Sequence, residues 1–97
     1  MSNATPSPAE LAPERREQIL QRLNTLQPTH IEVIDESHLH IGHEGSKDGA
    51  GHFRVIIASN QFKGMRPLAR HRLVYEQVSD LIPYPVHALA IETRLNP

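Results

Sequence analysis

A chain of 97 residues fits one small domain and leaves no room for two. Hydrophobic residues make up 38% and charged residues 22%, which permits a modest core and argues against wholesale disorder. The absence of cysteine excludes disulfides, thiolate nucleophiles and an all-cysteine metal site. No apolar run reaches the roughly 20 residues of a membrane span. The opening stretch MSNATPSPAE also lacks the apolar core of a secretory signal, so a cytoplasmic protein with no membrane partner is expected. The net charge of −1 hides an uneven distribution. No acid occurs between Gly49 and Tyr75, while Arg54, Lys63, Arg66, Arg70 and Arg72 all fall there. A near-neutral protein with one basic face can hold an anionic partner locally, although such a run also suits a solvated helix face.

Residues 1–8, rich in Ser, Pro and Ala, read as a flexible tail, and residues 9–97 as the domain. Ser7, Pro8 and Glu10 have the spacing of a capping box, but Pro13 interrupts that turn, so the first helix is expected to start near Pro13. Ile19, Leu23 and Leu26 then form one apolar stripe at i, i+4 and i+7. Arg15, Arg16, Glu17, Gln21 and Arg22 fill the remaining, solvent-facing surface, and Gln27-Pro28 ends the helix. HIEVIDES reads as a strand with Ile31 and Val33 on one face. HFRVIIAS reads as a second, with Phe53, Val55 and Ile57 aligned. Between them, IGHEGSKDGAG holds four of the chain's five glycines and predicts a mobile loop over 41–51. Pro67 opens a second helix running to Leu81, with Val74, Val78 and Leu81 in register, and PYP stops it. VHALAIET is the third strand. Strict alternation places His87, Leu89 and Ile91 on one face and Val86, Ala88 and Ala90 on the other. The expected class is α+β with the order α-β-β-α-β: a three-stranded mixed sheet carrying both helices on one face.

Motifs for catalysis are missing. There is no Gly-x-Ser-x-Gly elbow, P-loop, dinucleotide-binding glycine pattern or His-Glu-x-x-His helix. Adjacent Asp35 and Glu36 project to opposite faces of a strand and cannot share a substrate. Neither an enzyme nor a small-molecule substrate is expected. Gly42-His43-Glu44-Gly45 matches the Gly-x-x-Gly phosphate clamp of KH modules, but it sits between two strands and carries an acid where phosphate would lie. The stretch DESHLHIGHEG crowds His38, His40 and His43 together. Neutral imidazole ligates zinc, copper and iron, yet His-x-His alone equally fits a solvated loop.

Four ordered segments, DESHLH, GHFRVIIAS, FKGMRPLARHRLVY and VHALAI, resemble the BolA-like proteins over about residues 19–91. The resemblance implies a class II KH-like fold. It also implies a partner, a monothiol glutaredoxin of the Cys-Gly-Phe-Ser type, paired as a heterodimer around a shared 2Fe–2S cluster. In that pairing the glutaredoxin and glutathione supply thiolates. The BolA-like chain supplies a histidine from the HAL motif, here His87, and a loop ligand that falls on His40, with His43 an alternative. The role implied is an adaptor in iron–sulfur cluster trafficking, assembly or iron regulation. Some members are described as DNA-binding transcription regulators acting through the region of the second helix, which places Lys63, Arg66, Arg70 and Arg72 at a nucleic-acid or partner surface.

Overall fold

A computed structural model describes residues 8–37 and 50–95. The chain runs α1 (Pro8–Leu23), β1 (Pro28–Asp35), β2 (Gly51–Ser59), α2 (Pro67–Val78) and β3 (Val86–Arg94). Short 3₁₀ turns occupy Asn24–Leu26, Asn60–Phe62 and Ser79–Leu81. The tail over 1–7 and the loop histidines His38, His40 and His43 lie outside the described residues, as does the loop predicted to be mobile, apart from its last two positions.

The sheet order is β1-β2-β3. β1 pairs antiparallel with β2, setting Val33 opposite Val55 and Ile31 opposite Ile57. β2 pairs parallel with β3, setting Phe53 beside Leu89 and Val55 beside Ile91. The expected α+β class and mixed sheet are therefore present. Alternation along β2 sends Phe53, Val55 and Ile57 to the helix-covered face, where they bury fully with Ile19 and Leu23 of α1, Val33 of β1 and Val74 and Val78 of α2. Buried Ser59 closes the far end of this core. Its hydroxyl donates to the Leu26 carbonyl at 2.7 Å and accepts from the Gln61 N–H at 3.1 Å, so no polar atom of that side chain is stranded.

α2 begins where Pro67 fixes a helical φ and needs no hydrogen-bond acceptor. α1 departs from the expected start. It begins at Pro8, and Pro13 lies inside it. Pro13 forfeits only the bond to the Ala9 carbonyl, one turn from the helix end, so the turn before it stays attached. Gln27 ends this segment as expected, but in the left-handed region at φ 49°. α1 is tied to the 3₁₀ turn that follows α2 by Arg22, whose Nη2 lies 2.9 Å from Asp80 Oδ2. The guanidinium hydrogen bond holds the Asp80 carboxyl below its ordinary pKa. The pair's contribution is thus present above the usual carboxylate pKa and is lost as pH falls through the lowered one.

A second departure concerns Arg15. It is not solvent-facing but buried, at 4% exposure. It stands four residues before Ile19, on the same helical stripe, and so points to the core side. Its neighbour Arg16 does reach the surface, where Nε donates to the Val33 carbonyl at 3.0 Å and occupies a backbone acceptor of the edge strand β1.

Candidate functional site

Three segments converge where β2 and β3 begin. The Gly51 N–H donates to the Pro85 carbonyl at 2.9 Å, and the Glu36 N–H to the His52 carbonyl at 2.8 Å. The His52 N–H donates to Ser37 Oγ at 3.0 Å. The end of β1, the start of β2 and the turn before β3 are thus stitched into one corner. Ser37 and Ala50, the two attachment points of segment 38–49, both belong to it. Arg54 closes the side of this corner, with Nε 3.0 Å from Glu36 Oε2. That partly exposed pair is worth about 0–1 kcal/mol.

The β2–β3 pairing slips here. Gly51 is matched by Val86, but His52 is matched by Ala88. His87 is the extra residue, a β-bulge. This overturns the strict alternation expected for β3. Val86 is buried at 1% exposure, and Leu89 and Ile91 also pack against the core, although odd and even positions should face opposite ways. The bulge resets the parity and expels His87, which is exposed. Its ring lies beside that of buried His52, with centroids 5.2 Å apart and planes tilted by 52°. Bulges recur where a side chain must be re-aimed away from the sheet pattern, and that is the effect here.

Gly51 is required by the crowding beneath the corner. A Cβ there would stand 2.7 Å from Phe53 Cε2 and 3.5 Å from Arg15 Nη1. The Arg15 guanidinium fills the adjoining space. Its Cζ lies 5.3 Å from the centroid of the Tyr84 ring, and Nη2 donates to the Tyr84 hydroxyl at 3.3 Å. Neither Arg15 nor the buried position of His52 is expected from the residue pattern. The spacing from Arg15 to Ile19 carries the first signal. The second has none, since alternation puts His52 on the uncovered face of the sheet.

The predicted basic residues separate into two groups. Lys63, Arg66 and Arg72 are exposed around the start and outer side of α2, and their side chains make no hydrogen bond or ion pair among the described residues. Arg70 is partly buried and occupied: Nε donates to Thr93 Oγ1 at 3.1 Å and Nη1 to the Met65 carbonyl at 2.8 Å. It fastens the first turn of α2 to β3. His71 is exposed on α2.

Among the described residues, no group of three or more His, Asp or Glu side chains is placed to hold a metal. What the corner offers is one exposed imidazole on a bulge, backed by a buried one. No helix among the described residues is long and apolar enough to cross a membrane.

The α-β-β-α-β order with a mixed three-stranded sheet is that of a small α+β module. The family model described as BolA-like protein matches residues 23–96. The chain is 45% identical over 67 residues to the DNA-binding transcriptional regulator BolA of Vibrio cholerae, covering 69% of this chain and 60% of that protein. It is 40% identical over 79 residues to the Escherichia coli protein of the same name, covering 80% and 72%. Against BolA-like protein 1 of Mus musculus it is 46% identical over 69 residues, covering 71% and 48%. The alignment thus spans less than two thirds of the Vibrio protein and about half of the mouse one. Among solved structures, the BolA domain of SufE1 from Arabidopsis thaliana superposes with a TM-score of 0.71 at 36% identity, covering 82% and 90% of the two chains. The solution structure of mouse BolA1 gives 0.62 at 38% identity, covering 96% and 71%. The chain belongs to the BolA-like family.

Proposed function

We propose that this chain is an adaptor that completes the ligand set of a 2Fe–2S cluster shared with a monothiol glutaredoxin and glutathione. It contributes His87 and one loop histidine, His40, with His43 able to replace it. The observation that carries this reading is the bulge, which takes His87 out of the sheet pattern and presents its imidazole at the corner where segment 38–49 is attached. His40 is three residues beyond Ser37, and three residues of chain span at most about 10 Å. The donor chemistry fits a shared site. A chain without cysteine offers no thiolate, so the thiolate donors of a 2Fe–2S core must come from elsewhere. Two imidazoles on one iron raise the potential of a 2Fe–2S centre above that of all-thiolate clusters. The adaptor performs no bond chemistry of its own; its role is delivery or sensing of the cluster. Mixing the chain with a cluster-loaded monothiol glutaredoxin is expected to give a one-to-one complex with altered visible absorption and circular dichroism. Spectra equal to the sum of the separate components would refute the adaptor reading.

A second reading has its own support. The Vibrio and Escherichia relatives are named DNA-binding transcriptional regulators, and this chain has three exposed cations around α2 with no ion-pair partner among the described residues. Weak, salt-sensitive DNA binding with little sequence preference is expected from Lys63, Arg66 and Arg72. Replacing all three by Ala should weaken binding and reduce the slope of log K against log salt by about 0.9 for each phosphate no longer neutralised. Arg70→Ala is expected to act differently, by loosening α2 from β3 and lowering thermal stability. An unchanged salt slope in the triple variant, measured by fluorescence anisotropy, would remove the DNA reading.

A further inference from the structure

Arg15 lies outside the proposed ligand set and outside the basic surface, yet it is a buried cation, and burying a guanidinium costs free energy unless the surroundings compensate. Its surroundings are specific. Gly51 leaves room for it, the Tyr84 ring lies under its charge, and the Tyr84 hydroxyl accepts one of its hydrogens. Tyr84 itself is 54% exposed, so the contact is not a by-product of core packing at Tyr84. It stands three residues before His87, with only Pro85 and Val86 between. Pro85 is held by the Gly51 N–H, and Val86 is held in the core. The bulged residue that follows has no such anchor in the sheet pairing. It follows directly on that turn, which Arg15 of α1 contacts through Tyr84.

We propose that Arg15 and Tyr84 form a positioning pair that sets the orientation of His87 from α1. Arg15 acts through Tyr84 and the 84–86 turn. The consequence for cluster binding rests on the ligand reading of His87; the positioning itself does not. The geometry of His87 relative to His52 is the direct readout, and it can be followed in the chain without partner or cluster.

The test is NMR of the full chain, observing the His87 ring signals and the nuclear Overhauser contact between the His52 and His87 rings. Tyr84→Ala removes both the ring and the acceptor. It is expected to shift the His87 ring signals and to weaken or abolish the contact, while the amide signals of Val33, Val74 and Val78 in the core stay in place. Tyr84→Phe keeps the ring under the cation and should restore most of the wild-type pattern. Arg15→Lys keeps the charge but loses the planar fork, and should fall between the two. Unchanged His87 signals and an intact ring contact in Tyr84→Ala would overturn the proposal, leaving Arg15 a buried structural residue. Shifts spread equally over the core amides would overturn it as well. Tyr84 is more than half exposed, so its variants carry the test even where Arg15 variants fail to fold. Failure here would leave His87 available as a ligand, and failure of the cluster to form would leave this result standing.

Discussion

His87→Ala is expected to abolish the imidazole signature of the shared cluster and to lower its retention by about 100-fold. Residues that merely support a ligand typically cost 10- to 100-fold in metal affinity when removed, so loss of a ligand should reach at least the upper end. The bulge makes the experiment clean. His87 is exposed and takes no part in the core, so the fold should tolerate its truncation within about 0.5 kcal/mol, as surface substitutions usually do. Docking to the proposed glutaredoxin partner is expected to survive in part. His40→Ala should weaken the cluster less, because His43 lies only three positions further on. The double change of His40 and His43 should match the loss seen for His87. Cluster retention is read from visible absorption after gel filtration. Full retention by the His87 variant would contradict the ligand assignment.

Phe53→Ala should produce the largest change in stability. The ring is 2% exposed, carried on the central strand β2, and packed where a Cβ on Gly51 would otherwise stand. Truncating a buried Phe costs about 3–5 kcal/mol, through lost transfer free energy and the cavity left behind. A domain of this size has about 5–15 kcal/mol in total, so much of its stability would go. Leu68→Ala is the control. That side chain is 60% exposed, and its loss should shift the urea midpoint very little. Comparable midpoints for the two variants would show that the core is not organised around β2.

Much of the fold is legible because local patterns agree with the global arrangement. The Ile19, Leu23 and Leu26 stripe, the alternating Phe53, Val55 and Ile57, and the Val74, Val78 and Leu81 stripe all form core. Each depends only on helix or strand periodicity. What periodicity does not show is a change of phase. The bulge at His87 arises from pairing with β2, not from any residue in VHALAIET, so strict alternation assigns Val86 to the wrong face. Arg15 is misplaced when charge is given more weight than position on the stripe. Pro13 reads as a helix start when the cost of one missing hydrogen bond is taken as decisive. The site is legible to a similar degree. The HAL histidine stands out through the family resemblance, and its exposed position supports its proposed use. Composition does not divide the basic run, since Arg70 differs from Arg66 and Arg72 only in having Thr93 and the Met65 carbonyl within reach.

The proposed ligation of iron by His87 is tested most directly by pulsed EPR on the reduced cluster in the one-to-one complex, with the chain's histidines labelled with nitrogen-15. Nitrogen-15 couplings from this chain are expected, and the coupling assigned to His87 should vanish in His87→Ala. Couplings that persist unchanged in that variant would contradict ligation by His87.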